Sequence, residues 1–322
     1  MLWALLADFR RWGAVHTITS LDPRFEACIP GLNRSTLPAG EIACPLPGRY
    51  EDAYGSLLKR CDAVLIVAPE TNGILARLTA QAESAGLPLL CCSSRASAVA
   101  GNKAVCAKLF RGAQLPCPKT RTASFASAGR IAKQMGYPLV MKPLDGVGCE
   151  GVFRITDYAE LDGILKMVRY ATAHDRVILQ SFADGIHASV SLIVSKGRCL
   201  PVSLNCQLIE AGSRLQYLGS RVPFDHPARV SALNLAVSAA NLIPGLNGYV
   251  GVDVVLTGEN AWLIEINPRL TTSYIGLRQV AEANMARVIW DACQNGVLPE
   301  CIPLTGQVVI KKDDPATWGL GN

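Results

Sequence analysis

Two carboxylates and an amide stand close together in the last third of the chain: Asp253, Glu265 and Asn267. Such oxygen ligands suit hard divalent cations, and they are few enough for Mg²⁺ (or Mn²⁺) to keep waters and bind phosphates as well. An exposed polar strand face with nothing bound is the alternative. Arg269 follows directly after Pro268, and its guanidinium could hold a carboxylate or a phosphate. These side chains indicate metal-assisted chemistry on an anionic substrate.

Two strands must position this set. The extended runs 252–256 and 262–267 flank a Thr-Gly-Glu-Asn turn signal, which predicts an antiparallel hairpin. With a five-residue connection over 257–261, Asp253 lies directly across from Glu265, and two like charges there need a positive group between them. The same register predicts a wholly apolar opposite face made of Val252, Val254, Leu256, Trp262, Ile264 and Ile266.

Two lysines and a glycine-rich loop indicate phosphate binding. Residues 101–111 predict a helix capped by Asn102, and Lys103 in its first turn is unfavourable at the positive end of the helix dipole unless an anion compensates it. A solvated lysine is the alternative. Strand 139–142 ends at Lys142, and the flexible loop after it has backbone amides that can close over phosphates, although such a loop is often only a turn. The glycines of this loop are Gly146, Gly148 and Gly151.

Composition limits the class of protein. The 322 residues are 50% hydrophobic and 18% charged, so we expect two or three packed units with little disorder. No apolar run approaches a membrane span, and the net charge of +5 is spread out, so we expect neither membrane nor nucleic acid as a partner. The 12 cysteines form no Cys-x-x-Cys pair and predict reduced core residues of a cytoplasmic protein.

The order of predicted elements indicates the fold class. Strands and helices alternate over about the first hundred residues, including a buried parallel strand at 63–68, which predicts a small α/β domain. The chain opens with an amphipathic helix, so we expect the usual first strand of such a domain to be missing. Residues 275–293 predict a single helix. Four polar side chains of the later strands could face a substrate: Gln207, Arg214, Tyr217 and Arg221.

Asp253, Glu265 and Asn267, with their spacing and the Asn-Pro-Arg continuation, resemble the metal-binding strand pair of the ATP-grasp superfamily. The resemblance extends from about residue 63 to the last strand. It implies an ATP-grasp fold of the α/β class, with α+β lobes after an N-terminal Rossmann-like pre-ATP-grasp domain. We expect this domain, a small lobe with the phosphate loop, and a large lobe with the metal and substrate site to span residues 1–100, 101–180 and 181–322.

The resemblance also implies ATP and Mg²⁺ (or Mn²⁺) as cofactors, and it implies roles for single residues. Arg269 and Lys142 would be catalytic, with Arg269 anchoring the acyl oxygens. The connection 180–185 resembles the hinge that meets the adenine edge, and His187 stands where a glutamate usually holds the ribose. The residues expected to contact the nucleotide are Lys103, Lys142, Gly146, Gly148, Gly151, Gln180, Ser181, Ala183 and His187.

Residues 265–276, EINPRLTTSYIG, are similar to the tyramine–L-glutamate ligases of methanofuran biosynthesis. This implies an ATP-dependent ligase that joins the γ-carboxylate of L-glutamate to tyramine or tyrosine through an acyl phosphate, releasing ADP and phosphate. The expected partners are these small molecules, and a homodimer is left open. The alternatives are a ligase for another amino acid or a peptide, and a nucleotide-binding module without ligase activity. The complete set of metal ligands with Arg269 favours an enzyme.

Overall fold

Three β-sheets and the helices packed against them make up the described part of the chain. The computed structural model describes residues 1–21, 38, 40–43 and 49–319. Within these ranges no helix is both long and apolar enough to cross a membrane. The α-helices are α1 (Leu2–Trp12), α2 (Tyr50–Leu58), α3 (Ile74–Ser84), α4 (Ser94–Ala100), α5 (Lys103–Gly112), α6 (Phe125–Met135), α7 (Leu161–Tyr170), α8 (Arg229–Ala240), α9 (Ser273–Val280) and α10 (Met285–Trp290). The strands are β1 (Ile18–Ser20), β2 (Glu41–Ala43), β3 (Thr120–Ser124), β4 (Leu139–Pro143), β5 (Phe153–Ile155), β6 (Arg176–Ser181), β7 (Ile186–Ser195), β8 (Arg198–Ala211), β9 (Leu215–Val222), β10 (Gly248–Thr257), β11 (Asn260–Asn267) and β12 (Val308–Lys311).

The N-terminal region contains the parallel pair β1–β2 and helices α1 to α4. The predicted strand at 63–68 is reduced to one parallel bridge between Val64 and Leu89. Pro88 lacks the N–H that would extend the ladder ahead of this bridge, and Pro69 follows directly after the run. Helix α1 ends at Gly13 in a left-handed conformation, as its sequence predicts.

The four-stranded antiparallel sheet has the order β3-β6-β4-β5. Helices α6 and α7 cover it with apolar side chains that include Ile131, Leu161 and Ile164. All five residues of β4 are buried, so its last residues carry Lys142 into the interior. Strand β6 crosses residue 180, and the division into units at 100 and 180 stays a prediction.

The six-stranded antiparallel sheet has the order β11-β10-β7-β8-β9-β12 and is covered on both faces. Helices α4, α5 and α8 pack on one face, and α1, α9 and α10 pack on the other. Helix α8 presents small side chains, among them Ala232, Ala236 and Ala239, which are completely buried and let the helix approach the sheet closely. A hydrophobic core therefore lies on each face of the six-stranded sheet.

The β10–β11 hairpin confirms the predicted pair of Asp253 and Glu265. The five-residue connection is wrong, because Thr257 pairs with Asn260 and only two residues form the turn. The difference is absorbed by a bulge in β11, opposite the step from Asp253 to Val254, which reverses the faces of the β11 residues between it and the turn. Val252, Val254 and Leu256 of β10 keep the predicted apolar face. Leu263 is consequently buried at 0% exposure, and Trp262, predicted to be buried, is 39% exposed.

The single helix predicted over 275–293 is also wrong. Helix α9 ends at Val280, and Ala281 turns to an extended conformation and bridges Leu304. The side chain of Asn284 then caps α10 by accepting a hydrogen bond from the Arg287 amide at 3.1 Å. Tertiary pairing and a capping residue thus divide a segment whose apolar periodicity is continuous.

Candidate active site

A cleft lies between the four-stranded and six-stranded sheets, and the glycine-rich loop between β4 and β5 forms one of its walls. Among the residues expected to bind the metal, the nucleotide or the acyl oxygens, Gly151 is the one that does not line it. A Cβ at this position would lie 2.8 Å from Ala171 Cβ and 3.0 Å from Pro143 Cγ, so Gly151 packs at the base of the loop. The predicted residues that line the cleft are Lys103, Lys142, Gly146, Gly148, Gln180, Ser181, Ala183, His187, Asp253, Glu265, Asn267 and Arg269.

Asp253 and Glu265 face each other across the β10–β11 hairpin. Gln207 donates its Nε2 hydrogen to Asp253 Oδ1 at 3.0 Å, and Asn267 donates its Nδ2 hydrogen to Asp253 Oδ2 at 3.2 Å. Burial raises the pKa of Asp253, and the negative charge of Glu265 raises it further. The two carboxylates therefore repel each other at a place where a cation would relieve the repulsion.

Lys103 and Lys142 converge on Glu265 from different elements. Lys103 Nζ lies 2.9 Å from Glu265 Oε2, and Lys142 Nζ lies 3.9 Å from the same oxygen. Burial raises the pKa of Glu265, but attraction to the two lysines outweighs it, so this pKa is lowered. Burial lowers the pKa of Lys142. Glu265 thus supplies a compensating anion beside Lys103, one of the two alternatives that the sequence left open.

The glycine-rich loop has backbone conformations that favour glycine. Gly146 has φ +117° and Gly148 has φ +63°. A Cβ built at either glycine would have no other atom within 4 Å, so there is free space beside both. Lys103 Nζ donates to the Gly146 carbonyl at 3.2 Å, which connects the loop to α5. Asp145, at the start of the loop, accepts a hydrogen bond from the Asn72 amide at 2.7 Å. Hydrogen bonds therefore hold the start of the loop, and free space remains beside Gly146 and Gly148.

The other end of the cleft has apolar walls suited to a flat ring. Val140 and Ile264 line it, and Phe182 has the Arg154 guanidinium stacked 4.2 Å from its ring centre. Gln180 donates to Thr120 Oγ1 at 2.9 Å. Burial lowers the pKa of His187, with the charge of Lys142 adding to the effect, so the imidazole is held neutral.

Sequence reasoning found some of the remaining polar residues and missed others. Gln207 and Tyr217 line the cleft, as proposed from the sequence, whereas Arg214 and Arg221 do not. Glu70 was missed. It accepts a hydrogen bond from Arg269 Nε at 2.9 Å, although the two residues are 199 positions apart. No local signal in the sequence could have connected them.

The family of the chain can now be stated. Residues 100–273 match the family model of the ATP-grasp domain, and residues 15–97 match that of the pre ATP-grasp 3 domain. The chain belongs to the ATP-grasp family. This confirms the predicted superfamily and the predicted fold class, an ATP-grasp fold with a preceding α/β domain.

Within this family, the chain is similar to tyramine–L-glutamate ligase of Methanocaldococcus jannaschii. The two are 35% identical over 233 residues, which cover 71% of this chain and 63% of that relative, so the match spans less than two thirds of the relative's length. This similarity confirms the resemblance that the 265–276 segment suggested.

Solved structures show the same fold. An ATP-grasp superfamily protein of Archaeoglobus fulgidus aligns at TM-score 0.65 and 24% identity, over 96% of this chain and 83% of that one. The biotin carboxylase domain of Hydrogenobacter thermophilus 2-oxoglutarate carboxylase, solved with MgADP and bicarbonate, aligns at TM-score 0.79 and 16% identity. That alignment covers 95% of this chain and 71% of the other.

Proposed function

We propose that this protein is an ADP-forming ATP-grasp ligase that joins the γ-carboxylate of L-glutamate to an aromatic amine, either tyramine or tyrosine. The observation that carries the proposal is the meeting of three groups in one cleft: the Asp253–Glu265 pair, the two lysines beside it and Arg269. The similarity to tyramine–L-glutamate ligase supports the choice of substrates and a role in methanofuran-type cofactor biosynthesis.

Asp253, Glu265 and Asn267 would hold Mg²⁺ (or Mn²⁺). The fit rests on their chemistry: two carboxylates and an amide supply oxygen ligands, and the carboxylate repulsion that raises the pKa of Asp253 is the kind a cation removes. When bound, the metal neutralises charge on the phosphates. Lys103 and Lys142, which both lie beside Glu265, would hold the α- and β-phosphates.

A free carboxylate does not react with an amine in water, so it needs activation. In the proposed reaction the γ-phosphoryl group moves from ATP to a carboxylate oxygen, which yields ADP and an acyl phosphate. The amine nitrogen then attacks the acyl carbon, the bond to the phosphate oxygen breaks, and the nitrogen loses a proton. Arg269 would anchor the acyl oxygens, and the glycine-rich loop would exclude water from the intermediate.

The nucleotide contacts follow the same proposal. Gly146 and Gly148 would present backbone amides to the phosphates, with Gly151 supporting the loop from its base. The adenine would lie between the apolar walls at the other end of the cleft, near the backbone of Gln180, Ser181 and Ala183. His187 would take the ribose position as a neutral donor or acceptor.

Turnover with defined substrates tests the proposal. Purified protein is incubated with Mg-ATP and L-glutamate, with tyramine or tyrosine in separate reactions, while ADP release and product mass are followed. Amine-dependent ADP release with a condensed product mass would support the proposal and identify the acceptor. ADP release that depends on a different amino acid or peptide would show that the enzyme is a ligase with substrates other than those proposed. Tight ATP binding without turnover would indicate a nucleotide-binding module instead.

A further inference from the structure

Glu70 is a buried carboxylate that the N-terminal region brings to the cleft. It follows the apolar run at 63–68 and precedes helix α3, and it is 7% exposed. Its Oε2 accepts a hydrogen bond from Arg269 Nε at 2.9 Å. Its Oε1 is also buried and accepts no hydrogen bond from any residue in the described ranges. A buried carboxylate normally has both oxygens bonded, so this arrangement needs an explanation.

Arg269 is held at two of its donors. Nε donates to Glu70, and Nη1 donates to the Leu270 carbonyl at 3.0 Å. A guanidinium has five N–H donors in a planar fork, so fixing Nε and one side orients the donors that remain. Arg269 lines the cleft, and those remaining donors are available to an anion that enters it.

The absence of a side chain at Gly101 leaves room for Glu70. A Cβ at Gly101 would lie 3.0 Å from Glu70 Cβ and 2.9 Å from the Ser97 carbonyl, so a side chain at Gly101 would crowd both the stem of Glu70 and the end of α4. Gly101 directly precedes Asn102, the cap of α5, whose first residue is Lys103. Glu70 therefore packs against the residue that leads into the helix supplying Lys103 to the cleft.

We propose that Glu70 is a positioning residue, which orients the Arg269 guanidinium so that its remaining donors receive the carboxylate of the acyl substrate. The inference rests on the proposed function. Because Glu70 bonds Arg269 through Oε2 alone, the pair fixes Nε and leaves the donors that do not contact Glu70 or Leu270 to an anion in the cleft. A carboxylate that served only to join the two regions would bind Arg269 through both oxygens.

The first test compares Glu70→Ala with Glu70→Gln, whose amide oxygen can still accept a hydrogen bond from Arg269 Nε. We expect Glu70→Ala to raise KM for L-glutamate at least tenfold with KM for ATP within twofold of the wild-type value. Glu70→Gln should restore most of the loss and, being nearly isosteric, should fold. Asp8→Asn is the matched control, since Asp8 is fully buried, accepts from Arg278 Nε at the same 2.9 Å and does not line the cleft. It should leave both KM values unchanged.

An unchanged KM for L-glutamate in Glu70→Ala, or an equal rise for ATP and L-glutamate, would overturn the proposal. A crystal structure of Glu70→Ala provides a readout that does not depend on turnover. Displacement of the Arg269 guanidinium supports the positioning role, and an unmoved guanidinium overturns it. If the wild-type protein forms no amide from L-glutamate, the proposed function fails, and this structural comparison still decides the role of Glu70.

Discussion

Replacing Glu265 by glutamine removes the charge on which Lys103 and Lys142 converge. At an effective dielectric constant of about 20, unit charges separated by the 2.9 Å between Lys103 and Glu265 attract by about 6 kcal/mol, most of which offsets the cost of burial. Removing one partner of a buried pair costs about 3–5 kcal/mol. Lys142 can lose its proton, because burial already lowers its pKa, and the variant then buries one unpaired charge fewer. We therefore expect the free energy of unfolding to fall by about 3 kcal/mol, the lower end of this range.

The effect of Glu265→Gln on activity should be larger than its effect on stability. A bound metal contributes several kcal/mol to the transition state, and losing about 4 kcal/mol reduces turnover about 1000-fold. The loss of stability should lower the melting temperature by no more than about 10 °C, so the variant should stay folded. Added Mg-ATP should stabilise the wild-type protein against heat but not the variant.

The assay is amine-dependent ADP release, titrated with Mg²⁺ and paired with thermal melts. Glu259→Gln is the matched control, since it makes the same chemical change at an exposed position in the turn of the same hairpin. We expect this control to retain wild-type turnover. A Glu265→Gln variant with wild-type turnover and an unchanged Mg²⁺ dependence would refute the metal assignment.

Three further changes test separate parts of the structure. Leu263→Ala should cost about 3 kcal/mol in urea unfolding and Trp262→Ala less than about 1 kcal/mol, because the bulge buries Leu263; the reverse order would contradict the observed register. Lys103→Met should weaken ATP binding about 10- to 100-fold by calorimetry, whereas Lys108→Met, exposed on the same helix, should not. Gly146→Ala, strained at φ +117°, should raise the ratio of ADP to amide product, and an unchanged ratio would show that the loop does not exclude water.

Short-range chemistry explains which sequence predictions were confirmed. Asn102 caps α5 through hydrogen bonds from the Ala104 and Val105 amides at 3.1 and 3.2 Å, as its residue type and position predict. The pair of Asp253 and Glu265 was also predicted, even though the connection between their strands was not. An error in turn length and an unrecognised bulge cancelled at this pair, so only the β11 residues between the bulge and the turn lie on the face opposite to the predicted one.

The sequence by itself determined the chemical types at the site and the local elements that carry them: carboxylates and an amide on a hairpin, a lysine at a helix start, and glycines after a strand. Only the tertiary structure decided that Lys103 and Lys142 share Glu265 and that Glu70 holds Arg269. The reason is physical. Capping and alternation act over a few residues, whereas charge pairing depends on distances of a few ångströms between distant segments, which are set by how the sheets and helices pack.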